Sequence, residues 1–322
     1  MKKKYYIGCD IGGTSVKLAI IKEDGVIFDK WEIPTNSMNN GESIPKDISN
    51  SIKEKMKNHA ISIEEINGIG AGAPGYVDVP NGIVIEAVNI GWKDYHLKKE
   101  LEELLHVPVF VLNDANLAAL GENWLGAGQG SDNLIAVTLG TGVGGGIVVN
   151  GEVINGSNGT GGEIGHIIVT PNEGYLCNCG RKGCIETYAS ATGFVKQGLE
   201  AIENGLETTL SETLQLSGKL TSKDIFEHAK NGDNVSKQII EKNADLLGLM
   251  LANLAVTTDP DKIIIGGGVA KAGNQLLTPL KAAFSKFVLG KINETCEIFI
   301  AQLGNDAGVV GGAYYVKQQL QK

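Results

Sequence analysis

The stretch CNCGRKGC, Cys177 to Cys184, puts three of the chain's five cysteines within eight residues. Thiolates that close together suit a tetrahedral metal, above all zinc, which takes four ligands. The fourth is expected from His166, eleven residues before Cys177, in the glycine-rich stretch GGEIGH. The other histidines, His59, His96, His106 and His228, sit in polar or helical contexts and read as surface residues. A Cys3His set leaves no open position, so the expected metal is structural zinc on His166, Cys177, Cys179 and Cys184. A metal-bound imidazole needs a partner for its second nitrogen. Glu163 lies three residues before His166 and Glu186 two after Cys184. A loop fixed by metal would thus present Glu163, His166 and Glu186 to a polyol. The competing reading is three reduced thiols in a loop. Cys9 and Cys296 read as lone buried strand thiols.

Two further stretches offer backbone N–H groups rather than side chains. DIGGT, with Lys17 after it, has a strand-end Asp10 followed by Gly12, Gly13 and Thr14, which can face a phosphate. Asp10 could hold a hydrated Mg2+ that bridges phosphates, or it could cap a hairpin turn. LGTGVGGG, residues 139–146, is six-eighths Gly or Thr, more than a turn requires. Strand-like sequence follows both loops, so neither is a Walker A loop or a GxGxxG that opens a helix. Two glycine loops at matching places suggest one phosphate chain clamped between two related halves. GGGV at 266–269 is a third close approach, fit for the adenosine part of a nucleotide or simply for a tight strand–helix turn. In LND, Asp114 follows a buried strand and could accept a proton from a hydroxyl gripped beside Asn113, or cap the next helix.

These residues must be positioned by a repeated element. The chain opens as a strand Tyr5–Asp10, a glycine turn, a strand Ser15–Lys22, a turn at Asp24–Gly25 and a strand Val26–Ile33. The same sub-pattern returns from Leu134, with a turn at Asn150–Gly151. It is too sparse for a solenoid and reads as two related domains. Ile66–Asp78 reads as a strand and glycine loop, Tyr95–Leu105 as an amphipathic helix, Ala115–Leu125 as a helix. Residues 189–256 read as mostly helical, with apolar three- and four-residue steps over Val235–Val256. Lys262–Ala270 reads as a buried strand with a glycine turn, 293–301 as a late strand, and GNDAGVVGGAYYVKQQL as a final helix with Asp306 near its start.

Composition sets the bounds. The 322 residues are 42% hydrophobic and 20% charged, with a formal net charge of −9. There is no basic cluster beyond Met1–Lys4, so nucleic acid is not an expected partner. No apolar run reaches membrane-spanning length. With no secretory leader in view the protein reads as cytoplasmic, where thiols stay reduced and bind metal. The 44 glycines, about twice the average share, cluster in turns where backbone must approach a ligand.

DIGGTSVK, GAPGYVD, LNDANLAALGE, LGTGVGGG, GGEIGH, CNCGRKGCIETYAS and IIIGGGV, in this order and spacing, together resemble the ROK family of repressors, uncharacterised reading frames and sugar kinases. Within it the chain is similar to the bacterial ATP-dependent glucokinases. The resemblance runs from residue 5 to the last helix, and the cysteine cluster with its upstream Gly-His is its most specific part. It implies an α/β chain of two ribonuclease-H-like (actin-like ATPase, hexokinase-type) domains with sugar and ATP in the cleft between them. The expected division is 1–112 plus 305–322 for a smaller domain and 113–304 for a larger one. It implies Asp114 as catalytic base. Asn113, Glu163, His166 and Glu186 would bind sugar hydroxyls beside the loop Gly72, Ala73, Pro74 and Gly75. Asp10, Gly12, Gly13, Thr14 and Lys17 would form a first phosphate loop, and Thr138, Gly140, Thr141 and Gly142 a second. Gly267 and Gly268 would serve the adenosine side. Mg-ATP would phosphorylate the 6-hydroxyl of glucose, and a homodimer or homotetramer is expected. A chain that starts four residues before its first strand disfavours the repressor branch with its helix-turn-helix. The alternatives are a kinase for N-acetylmannosamine, fructose, mannose or allose, or a sugar sensor without catalysis.

Overall fold

The computed structural model describes residues 4–322. Its first sheet is built from β1 (Tyr5–Ile11), β2 (Ser15–Lys22) and β3 (Ile27–Pro34), an antiparallel meander. Helix α1 (Ile44–Asn58) follows, with Ile44, Ile48, Ile52 and Met56 buried at a four-residue step, the stripe of an amphipathic helix. The chain then adds β4 (Ile66–Ala73), which pairs parallel with β1. A small antiparallel sheet of β5 (Tyr76–Asp78), β6 (Ile83–Ala87) and β7 (Trp92–Tyr95) intervenes. After α2 (Leu97–Leu105), β8 (Val109–Asn113) pairs parallel with β4, and α3 (Asp114–Leu125) closes the half. The sheet order is β3-β2-β1-β4-β8.

The second half repeats it. β9 (Leu134–Leu139), β10 (Val143–Val149) and β11 (Glu152–Val153) form the meander. A long insertion then carries the cysteine loop and five helices: α4 (Glu186–Ala189), α5 (Ala191–Glu203), α6 (Leu210–Ser217), α7 (Ser222–Lys230) and α8 (Asn234–Thr258). β12 (Lys262–Gly266) pairs parallel with β9. After α9 (Asn274–Phe287) and α10 (Gly290–Thr295), β13 (Glu297–Ile300) pairs parallel with β12. The order is β11-β10-β9-β12-β13, and α11 (Ala307–Gln319) ends the chain. Both sheets thus read third, second, first, fourth, fifth strand.

The closing helices are exchanged. α3 follows the first sheet but packs on β9 and β10; α11 follows the second but packs on β1 and β4. Glycine makes this possible. A Cβ at Gly8 would stand 1.9 Å from the Val309 carbonyl oxygen, and one at Gly70 2.0 Å from that of Gly312. The two helices cross the same way: a Cβ at Gly311 would meet the Leu117 carbonyl oxygen at 1.7 Å. Helix and sheet therefore touch backbone to backbone.

The structure differs from the sequence reading in several places, Cys296 among them, which caps α10 rather than lying in a strand. Residues 290–295 are helical, and the late strand is confined to Glu297–Ile300. The small β5–β7 sheet was not expected, because its strands are short and only partly buried. His228 is half-buried and bonded to Thr209 and Thr213 rather than lying free on the surface. Among the described residues no helix is long and apolar enough to cross a membrane.

Candidate active site

Two cavities meet between the halves. One, of 490 Å3, is lined by Pro74, Gly75, Asn113, Glu163, His166 and Glu186, among others. The other, of 430 Å3, is lined by Asp10, Lys17, Thr138, Gly140, Gly142 and Gly267, among others. Asp114, Ala115, Gly144 and Glu186 line both. A group at Asp114 therefore faces whatever occupies either side.

Asp114 is the first residue of α3, and the cap belongs to its neighbour. The Asn113 Oδ1 accepts from the N–H groups of Ala115 (2.9 Å) and Asn116 (3.2 Å), the pattern of an N-cap. Its Nδ2 donates to the Gly75 carbonyl at 3.0 Å, tying the β4–β5 turn to the helix start. Capping is thus assigned to Asn113, which leaves Asp114 with one local bond, from the Ala115 N–H at 2.8 Å. Burial, with the nearby charges of Asp10 and Glu163, pushes the Asp114 carboxyl up to about 6. A carboxylate poised there is ionised at neutral pH yet can take a proton.

On the first side, Glu163 precedes and His166 ends a short 3-10 turn (Ile164–His166). Burial raises the Glu163 carboxyl above its ordinary value, and the charge of Glu186 adds to this while His166 opposes it. The Glu186 Oε2 accepts from the Val143 N–H at 3.0 Å, and its Oε1 lies 3.7 Å from the Cys177 sulfur. Glu186 therefore joins the cysteine loop to the second glycine turn. Gly72 and Ala73 do not reach this cavity. They are buried in β4, where a Cβ at Gly72 would stand 3.3 Å from the Asp114 Cα.

The cysteine loop is a miniature hairpin, bridged at Leu176–Lys182 and against Ile168 at Cys184. Gly183, at φ +80°, is required because a Cβ would stand 2.2 Å from the Thr170 carbonyl oxygen. His166, Cys177, Cys179 and Cys184 offer ligand atoms that all lie within 4.8 Å of one another. The Cys179 and Cys184 sulfurs are 3.6 Å apart, as are the Cys177 sulfur and the His166 Nδ1. Such edges match a tetrahedron with metal–ligand bonds of about 2.0–2.3 Å. The donor set and spacing fit one metal ion with no position left open.

On the other side, Asp10 is the last residue but one of β1, and Lys17 stands opposite it on β2 with its Nζ 3.7 Å away. Burial raises the Asp10 carboxyl, and the Lys17 ammonium partly offsets this. Gly12, Gly13 and Thr14 form an outward turn that does not line this cavity; the Gly12 N–H donates to the Ser15 carbonyl at 2.9 Å. Thr141 and Gly268 line an adjoining cavity of 730 Å3 with Ser222, Lys271 and Gln275. Sequence reasoning missed Tyr76, Glu86 and Asn89 on the first side, and Gly304, Asn305 and Gly308 on the second. The first group lies on the unexpected small sheet and the turn beside it. The second lies in GNDAG, whose glycines were the available signal.

Two-fold repetition of this sheet, with a cleft between the halves and exchanged helices, is the actin-like ATPase fold. The ROK family model matches residues 6–319, and the chain belongs to the ROK family. It is 47% identical to a glucokinase of Halalkalibacterium halodurans, over 99% of this chain and 97% of that protein. It is 36% identical to a glucokinase of Thermotoga maritima, over 99% of each. Among solved structures it is similar to a ROK family glucokinase from Streptomyces griseus in complex with glucose and AMPPNP. That pair shares 36% identity and a TM-score of 0.78, over 98% of this chain and 99% of that one.

Proposed function

We propose that the chain is an ATP-dependent hexose kinase that phosphorylates the 6-hydroxyl of glucose, giving glucose 6-phosphate and ADP. The observation that carries this is the position of Asp114 on the shared wall of two cavities, one lined with carboxylates and an imidazole, the other with glycine backbone and a half-buried Asp–Lys pair. The relatives named glucokinase support the choice of sugar and phosphoryl donor.

In this reading the sugar lies against Pro74, Gly75, Asn113, Glu163, His166 and Glu186. The 6-hydroxyl points at Asp114, which takes its proton as the oxygen attacks the γ-phosphorus. The transition state is loose, so orientation and charge neutralisation outweigh base strength. Lys17 and the turn Thr138–Gly142 face the phosphates, and Gly267 and Gly268 leave room for the adenosine. Asp10 would hold Mg2+, which would supply positive charge against that of the phosphates. His166, Cys177, Cys179 and Cys184 would hold zinc, which cross-links the loop and takes no part in the chemistry. His166 would thereby keep one ring nitrogen for a sugar hydroxyl. Gly12, Gly13 and Thr14 reach the phosphates only as the cleft closes, and closure excludes water from the transfer. We infer domains of 1–112 with 305–322, and 113–304. The exchange of α3 and α11 supports both boundaries.

The experiment is product identification by phosphorus NMR with Mg-ATP and glucose, beside 6-deoxyglucose. Phosphate on the 6-oxygen, with no transfer to the deoxy sugar, is expected. Phosphate on another oxygen, or ADP release from 6-deoxyglucose at the glucose rate, would contradict the assignment.

A further inference from the structure

Glu122 is the one acidic residue of LNDANLAALGE that the site does not use. It lies eight residues past Asp114 on α3, near the end of that helix, where the helix dipole disfavours an anion. It is 3% exposed and has no Lys, Arg or His partner among the described residues. A buried carboxylate without a counter-charge is costly unless its oxygens are well satisfied. They are. Oε2 accepts from the N–H groups of Ala127 (2.9 Å) and Gln302 (3.1 Å), and Oε1 from that of Leu303 (2.7 Å). The Glu122 carbonyl accepts two more, from Gly126 (3.1 Å) and Gly128 (2.9 Å).

These bonds join the two connections on either side of the exchanged helices. Residues 126–128 lead from α3 to β9, and residues 302–303 lead from β13 to α11. Gln302 and Leu303 directly precede Gly304, Asn305, Ala307 and Gly308, which wall the phosphate-side cavity. The same helix carries Asp114 at its other end.

We propose that Glu122 is a positioning residue for the nucleotide. Its carboxylate holds the 302–308 wall in register with the helix that carries Asp114, so both sides of the transfer are set by one rigid piece. An acceptor-only group with two oxygens is needed for three N–H donors; a glutamine would turn an NH2 toward at least one of them. The proposal rests on the kinase reading for the identity of the ligand on that side.

The test compares wild type with Glu122→Gln and with Leu303→Pro. The proline removes one of the three donors, and φ at Leu303 is −78°, which its ring tolerates. Binding of Mg-AMPPNP and of glucose is measured by calorimetry, alongside kcat and both KM values. Expected for Glu122→Gln is a loss of at least about tenfold in Mg-AMPPNP affinity and in kcat/KM for ATP, with glucose affinity within about twofold. Leu303→Pro should show the same split, less strongly, and it decides the matter if the glutamine variant does not fold. Nucleotide binding and kinetics within twofold of wild type, whatever the melting temperature, would reduce Glu122 to a brace for stability and overturn the proposal. Equal losses for glucose and nucleotide would overturn it too. A wild type that binds Mg-AMPPNP but turns over no sugar would sink the kinase reading while the affinity comparison still judges Glu122.

Discussion

The two halves share one sheet order and one first turn, yet they bring different chemistry to the cleft. The first half inserts only a small sheet between its fourth and fifth strands, and its glycine turn at 12–14 points outward. The second half inserts the cysteine loop and five helices, and its turn at 139–142 lines the cavities. Glu186, from that insertion, is bonded to Val143 just after the turn. The scaffold was therefore duplicated in shape but not in use. One half gives a wall of side chains carried by the Cys3His loop, the other an Asp–Lys pair on adjacent strands. The exchanged helices hold the two together.

The largest expected effect falls where the halves meet. Asp114→Asn should lower kcat by roughly 10^2- to 10^4-fold while glucose binding, metal content and the fold survive. Steady-state rates with a glucose-binding isotherm check this, and near-full turnover would remove Asp114 as base. Next comes the insertion of the second half. Cys184→Ser, or removal of metal by a chelator, should take metal content from about one ion per chain to near zero and weaken glucose binding. Elemental analysis of carefully purified wild type that found no metal would dissolve the Cys3His reading.

A smaller effect concerns pH. Asp114 is raised to about 6, so it is ionised above that pH and protonated below it. The log of kcat/KM should fall with a slope near one as pH drops below about 6. For stability the sign is opposite. A carboxyl raised by folding costs stability above its folded pKa, and that cost fades as pH falls from about 6 toward the unfolded value. An acid limb centred near 4 would show that the charges and burial around Asp114 do not act as described.

The two turns give the finest contrast. A Cβ at Gly142 would stand 2.4 Å from the Glu186 Oε2, so Gly142→Ala must push Glu186 off Val143. We expect a cost of about 1 kcal/mol in melting experiments, the low end for overpacking because the side chain can move, with weaker glucose binding. At Gly13 the nearest atom would be 3.6 Å away, an ordinary contact. Gly13→Ala should change stability by less than about 0.5 kcal/mol. Equal effects at both glycines would erase the distinction between the turns.

Much of this was legible in the sequence. The repeated meander was visible because turns at Asp24–Gly25 and Asn150–Gly151 follow matching strands. The Cys3His group was visible because three ligands are local and His166 is the one histidine in a glycine loop. The small sheet was hidden by its short, half-exposed strands. The role of Glu122 was hidden because its partners at 302–303 lie far away in sequence and are backbone atoms, which no residue pattern records. The helix exchange was hidden for a like reason. Gly8, Gly70 and Gly311 are each needed by a neighbour distant in the chain, and sequence shows the glycine but not what presses on it.

The central claim is transfer from ATP to a hexose, with glucose as the hexose. The measurement that tests it most directly is ADP release with Mg-ATP over glucose, mannose, N-acetylmannosamine, fructose and allose. The account predicts sugar-dependent release with the highest kcat/KM for glucose. A higher value for another sugar would contradict the choice of glucose and leave the kinase standing. No release with any of them, from protein that carries its metal, would contradict the kinase itself.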